Sequence, residues 1–295
     1  MHAEYDGWYP KAKGKLGGYL KVIKFHHAPL VEGPALVGAL AFSGAFPPDF
    51  LRQTVLIVVA ALGVHVFGET YNELVGTKWH MNDPVKRPFV SGAVSKEEGC
   101  ALVFLGVLIF EFAAWALNAW ALDLSPLVVL VTLAYPHLKD KFIGAPYVLG
   151  GIVGIDVLGG YVGIWGGLAS SFVFLMSKAP WLLAISGIAF TASFDETLNL
   201  PKVSVHKSAG IAELSAVSSE GLTLGFIAAN KLISVTTAMA ACCLLGVIPA
   251  LFSVTYSALV LATLPMPKKK QIGRSVNMAL IAYAILAMGL ALSHF

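Results

Sequence analysis

Charge is what this sequence has least of. Lysine, arginine, aspartate and glutamate make up 13% of its 295 residues, against 57% apolar. A soluble domain carries roughly 25% charged residues, so the shortage excludes an ordinary water-soluble globule. Cysteine is scarce as well. Cys242 and Cys243 are adjacent in an apolar run and Cys100 lies far away, so the three carry no disulfide pattern and read as free thiols packing as small apolar groups. A surplus of either sign is also missing, because the net charge of +3 calls for no nucleic-acid partner. Residues 1–27 have no apolar core long enough for a cleaved leader.

What is present is apolar and comes in blocks. Mean hydropathy is +0.76, and the blocks are about twenty residues long, enough to cross a bilayer core of ~30 Å as helices. Nine candidate spans are read at 29–46, 54–75, 99–121, 124–137, 145–166, 170–195, 231–248, 250–265 and 275–294. Only "GVIPAL" splits the seventh from the eighth, and its Pro249 is expected to favour a turn there. The basic residues test the count, since 18 of 20 fall on alternate loops and only Arg52 and Lys178 on the others. The chain is therefore predicted to be all-α, a polytopic membrane protein with a nine-transmembrane-helix bundle and a cytoplasmic N-terminus. Residues 1–295 read as one domain. Its cytosolic segment 1–27 places Leu16, Leu20 and Ile23 at helical spacing between lysines, as a helix lying on the membrane surface does.

Polar side chains gather at three predicted cytoplasmic helix ends. In "YNELVGTKWHMNDPVKRPFVSG" (71–92), Glu69 and Glu73 share a helix face with His65, and Asn72, Gly76 and His80 make an adjacent stripe. In "YPHLKDK", Tyr135 and Lys139 are four apart. In "SFDETLNLPKVSVHK" stand Asp195, Glu196, Asn199, Lys202, His206 and Lys207. Acidic and amide oxygens beside a basic loop suit Mg²⁺, and lysine or arginine suits a diphosphate's remaining charge. With an apolar bundle to hold a hydrocarbon, a prenyl diphosphate is such a ligand. The plainer readings stand beside this one: basic loops belong to any membrane protein, Asp195 and Glu196 could cap or pair locally, and Glu111 and Asp156 could serve as inter-helix hydrogen-bond groups. Trp79, Trp120, Trp165 and Trp181 fit an interfacial aromatic belt.

These residues resemble the UbiA superfamily of intramembrane prenyltransferases, whose first motif reads Asn-xxx-Asp-xxx-Asp followed by Arg-Pro-xx-Ser-Gly. Asn72 matches, and Arg87, Pro88, Ser91 and Gly92 stand at the family offsets. Tyr135 and Lys139 match the Tyr-xxx-Lys motif, "APYVLGGIVGIDVLGGYVG" is similar to the fifth helix, and Lys24 stands where an arginine is common. The resemblance implies a nine-helix bundle with cytosolic cap loops and an enzyme that ionises an allylic diphosphate with Mg²⁺. It implies catalytic Tyr135, Lys139 and Asp195, and diphosphate contacts from Asn72, His80, Lys86, Arg87, Lys139 and Lys202. The departures are as informative. Gly76 and His80 occupy both aspartate positions of the first motif, and Asn199 replaces the second aspartate of the later one. A metal site rebuilt from Asn72, Glu73, Asp83, Asp195, Glu196 and Asn199 is one expectation, and a site with fewer ions and more basic residues is the other. Transfer of the prenyl chain to a lipid-soluble, aromatic acceptor is the expected activity. Alternatives are terpene cyclisation without an acceptor and a non-catalytic lipid-binding role. Expected partners are the prenyl diphosphate, that acceptor and membrane lipid.

Overall fold

The computed structural model describes residues 14–24, 28–42, 45–76, 87–139, 141–168, 176–208, 210, 212–264 and 272–294. Those residues form helices and connecting turns: α1 (Gly14–Ile23), α2 (Ala28–Ala39), α3 (Phe50–Gly76), α4 (Lys96–Leu117), α5 (Ala119–Leu138), α6 (Ala145–Trp165), α7 (Lys178–Asn199), α8 (Val203–Ser208), α9 (Leu214–Val217), α10 (Glu220–Leu245), α11 (Val247–Ala262) and α12 (Ile272–Leu292). Each predicted span overlaps a helix of this series along most of its length, with ends that shift by several residues. Five of them, α3, α4, α5, α6 with its last turn, and α10, are long and apolar enough to cross a membrane by length and composition. Phe104, Leu108, Phe112 and Trp115 on α4 and Leu127 and Leu130 on α5 are exposed, an apolar outer surface that suits lipid and would be a liability in water.

Glycine sets how closely the helices approach. A Cβ on Gly38 would fall 1.7 Å from the Val157 carbonyl oxygen, and one on Gly160 would fall 1.8 Å from that of Ala35, so α2 and α6 cross backbone to backbone. Gly63 and Gly106 do the same for α3 and α4, where added Cβ atoms would meet the Phe110 and Phe67 amide nitrogens at 2.7 Å. Small residues that let backbones touch are the main packing device where water supplies no driving force between helices. Gly150 lies against Ile188 and Gly154 against Ile188 and Ala184, so α6 and α7 run antiparallel and the start of α6 shares an end of the bundle with the finish of α7. Tyr71 Oη lies 2.8 Å from His137 Nε2, which brings the finish of α5 beside that of α3. The three polar stretches singled out in the sequence thus meet at one end.

Two readings from the sequence change. The seventh span starts at Glu220 rather than at residue 231, and Lys231 is therefore 11 residues inside α10, about 16 Å along its axis. It is 3% exposed and donates to Thr263 Oγ1 at 2.6 Å, so it does not belong with the loop lysines. Trp165 is not at a wet interface either. It is 6% exposed and stacks on Phe42 with centroids 3.6 Å apart.

Candidate active site

The Arg-Pro-xx-Ser-Gly stretch is a tight turn. The Arg87 carbonyl accepts the amides of Val90 and Ser91, both at 3.0 Å, and Gly92 takes φ +73°, a conformation that costs glycine nothing and other residues about 1 kcal/mol or more. Ser95 then opens α4 with a capping box to Glu98. The result is an Arg87 guanidinium held beside the last full turn of α3, where it donates to Glu73 Oε1.

The second cation comes from the other direction. Helix α1 docks on the start of α4 through Lys15 and Tyr19, which both donate to Glu98. Lys24 then ends α1 at φ +51°, a left-handed conformation that a lysine adopts only at a cost. That turn aims its Nζ at Glu69 Oε2 at 2.7 Å and at Glu73 Oε1 at 3.0 Å. Burial disfavours the charged amine, but Glu69 and Glu73 outweigh it and hold Lys24 above the ordinary lysine range. Two cations and two carboxylates therefore alternate at the mouth of an apolar bundle: Arg87, Glu73, Lys24, Glu69.

The position of that acidic pair is informative. Glu69 and Glu73 keep the four-residue spacing of the motif aspartates but stand seven residues before Gly76 and His80. Between Glu69 and Gly76, both on α3, seven residues are about 10.5 Å of helix and within ~20° of the same face. The carboxylates that the motif positions lack recur one heptad deeper.

At the finish of α7, Asp195 is half-buried, and Glu196 is fully buried with Oε2 accepting the Ser215 amide at 3.1 Å. Asn199 is 3% exposed and its Nδ2 has no partner. His206 Nδ1 lies 2.5 Å from Glu213 Oε2, so α8 and α9 fold into a cover over this corner. Tyr135 is buried, and its carbonyl accepts the Lys139 amide at 2.9 Å. Asn72 is half-buried on α3. Lys202 ends the 3-10 turn that follows α7. His80, Asp83 and Lys86 lie outside the described residues.

Sequence reasoning placed Glu73 among metal ligands, whereas it is engaged here by Lys24 and Arg87. Glu69 and Lys24 were noticed but given no site role. Glu32 was passed over, although an acid in an apolar helix is itself a signal. It lies 3.4 Å from His65 Nδ1.

Taken together, the fold and site define a helical membrane bundle with paired charged side chains gathered at one end. The chain belongs to the UbiA prenyltransferase family, whose model matches residues 33–275. It is similar to the apo structure of a UbiA homologue from Aeropyrum pernix K1, with 28% identity, a TM-score of 0.83 and coverage of 92% of this chain and 99% of that one. A UbiA homologue from Archaeoglobus fulgidus bound to GPP and Mg²⁺ matches at 16% identity and a TM-score of 0.69, over 94% of this chain and 98% of that one. A digeranylgeranylglyceryl phosphate synthase matches at 15% identity and a TM-score of 0.67, over 95% and 98%. No curated relative matches by sequence.

Proposed function

We propose that this chain is an intramembrane enzyme that uses a prenyl diphosphate and passes the prenyl group to a lipid-soluble, aromatic acceptor with loss of diphosphate. The observation that carries this reading is the convergence of Lys24 and Arg87, from two different elements, at the charged end of an apolar bundle of the UbiA fold. The bound GPP and Mg²⁺ of the Archaeoglobus fulgidus homologue support the substrate class.

Mg²⁺ is the expected cofactor. The donors at this end are hard oxygens from Asn72, Asp195 and Asn199, with Glu69 and Glu73 below, and these suit Mg²⁺. Among the described residues no group of three or more acidic, histidine or cysteine side chains is assembled to hold a metal. When bound, the metal neutralises part of the leaving group's charge.

The chain's own residues do the rest. Lys24, Arg87, Lys139 and Lys202 neutralise the diphosphate, and the motif resemblance gives His80 and Lys86 the same role. Their interactions strengthen as the carbon–oxygen bond breaks and charge moves onto the diphosphate, which is how they lower the barrier. Tyr135, Phe89 and Phe194 offer aromatic faces to the allylic cation, and the apolar helices keep water from it. For the diphosphate to enter, Glu69 and Glu73 release the cations they hold. The charged end faces the cytoplasm in this reading.

The test is diphosphate release by the detergent-purified protein, given geranyl to geranylgeranyl diphosphate with Mg²⁺, with and without a panel of aromatic acceptors, and mass analysis of products. Release tied to a prenylated acceptor supports transfer. A cyclic hydrocarbon or alcohol formed without acceptor makes the chain a cyclase, and no release under any condition removes the catalytic reading.

A further inference from the structure

Helix α1 is a helix that its own sequence does not support. It has ten residues, GKLGGYLKVI, and three of them are glycine. Isolated helices shorter than about 12–15 residues are marginal in water, and each interior glycine lowers the propensity further. Contacts with the rest of the chain therefore decide whether α1 forms and where it points. Gly17, Gly18 and Val22 are buried, and a Cβ on Gly18 would fall 2.9 Å from Val94 Cγ2 and 3.5 Å from Ala93 Cβ. The glycine that weakens α1 is what lets it touch the segment just after Gly92, and so the turn that carries Arg87.

Both ends of α1 are tied. At its start, Glu98 divides its carboxylate. Oε2 accepts the Ser95 amide at 2.8 Å and closes the α4 cap, while Oε1 accepts from Lys15 and from Tyr19, the latter at 3.1 Å. At its finish, the Ile23 carbonyl lies 2.8 Å from His65 Nε2 of α3, and a carbonyl only accepts, so the imidazole donates. The next residue is Lys24, whose left-handed backbone points Nζ at Glu69 and Glu73. Arg87 approaches the same oxygen of Glu73. The two cations thus come from one docked unit, and the placement of one is tied to that of the other.

We infer that Gly18, Tyr19 and Glu98 are positioning residues for the diphosphate site: they hold α1 on the turn of Arg87, so that Lys24 and Arg87 meet the diphosphate as a preset pair. This rests on the prenyl-diphosphate reading above and deepens it. Their effect passes through Lys24. A lysine side chain has much rotamer freedom to lose when it pairs with an anion. One whose backbone is fixed in advance loses less, and the saving appears as affinity. An exposed ion pair such as Lys15 with Glu98 is weak alone, so the dock depends on the close packing at Gly18 as much as on charge.

The test is calorimetric titration of the detergent-purified full chain with geranyl diphosphate and Mg²⁺, with diphosphate release measured alongside. Gly18→Leu lifts α1 off Val94, and Lys15→Met combined with Tyr19→Phe unties its start while leaving the Ser95 cap whole. Each is expected to weaken binding at least fivefold in a chain that keeps Lys24. In a Lys24→Met background each is expected to change it less than twofold, because residues that act through one another are not additive. Wild-type affinity in both variants overturns the proposal. Equal losses with and without Lys24 overturn it too, since a merely structural role acts in both backgrounds. A third variant locks the dock: with the native cysteines replaced by alanine, Gly18→Cys and Ala93→Cys stand at a spacing that a disulfide spans. The oxidised protein is expected to keep wild-type affinity, and a fivefold loss on oxidation overturns the proposal by showing that α1 has to leave the turn. Coupled binding without diphosphate release removes the enzyme reading and keeps the positioning role. Release with uncoupled binding does the reverse, and no binding by wild type removes both.

Discussion

At the scale of single residues, the charged mouth is a balance that each member can upset. Glu73 is 6% exposed at its side chain and serves two cations. Glu73→Gln leaves Lys24 with Glu69 alone and Arg87 without its partner, and losing one side of a buried pair costs about 3–5 kcal/mol. A thermal melt in detergent should show the loss. A melt within a degree or two of wild type would mean the pair is not formed in the bilayer-like environment. Arg87→Ala should weaken geranyl diphosphate binding by about 1.5–3 kcal/mol, the worth of a charge-assisted contact, which is a 10- to 150-fold rise in KM. An unchanged KM would leave Arg87 with only the turn to hold. Asp195→Ala should abolish diphosphate release while the melt stays close to wild type, and near-normal turnover would take Asp195 out of the site. Of this mouth, Arg87 was legible beforehand, because it sits at a fixed offset from Asn72 in a motif. The partner of Arg87 was not. Motif spacing gives no distance between segments, and the pairing of Lys24 with Glu69 depends on a left-handed turn at residue 24 that lysine does not advertise.

At the scale of elements, the sequence located helices well and their ends poorly. Apolar blocks mark where lipid or core faces a helix, but a helix continues as long as its backbone bonds and caps permit. Helix α10 starts with Ser219 accepting the Leu222 amide, a capping signal that sits in a polar stretch the hydropathy pattern ignores. That is why Lys231 was counted with the loops. Helix contacts were also hidden, although the glycines that make them were not. Gly38→Ala should drive its methyl into the Val157 carbonyl and pry α2 from α6, at a cost of about 1–3 kcal/mol. Gly151→Ala meets nothing within 4 Å and removes backbone freedom, so it should be neutral or stabilising by up to about 1 kcal/mol. Paired melting curves settle the contrast: equal shifts would mean that α2 and α6 do not touch there.

At the scale of the whole molecule, the basic residues and the helices tell one story. The opposite end of the bundle carries Arg52, which donates to the Ala116 carbonyl at 3.0 Å, and Lys178, exposed at the first residue of α7. The nine crossings expected from the sequence put the two termini on opposite sides, an orientation that labelling tests. In a cysteine-free background, a cysteine at Lys141 should react with a membrane-impermeant maleimide only after the membrane is opened, and one at Lys178 should react in intact cells. Reaction of both in intact cells would break the orientation. What composition conveyed here was the solvent, since a chain with so little charge has to be designed for lipid. It could not convey that the charge it does have would be spent partly inside.

Lys231 bears on how the chain is built. A lone lysine at the centre of a helix raises the cost of entering a bilayer by about 2.5–3.5 kcal/mol on insertion scales. It donates to Thr263, at the end of the next helix, where the carbonyl ends of α11 also favour a cation. Helix α10, apolar enough to cross a membrane, is therefore expected to enter the bilayer more favourably beside α11 than alone. The tight turn at Gly246, φ +133°, joins the two helices without slack, so they are expected to enter the membrane as one hairpin.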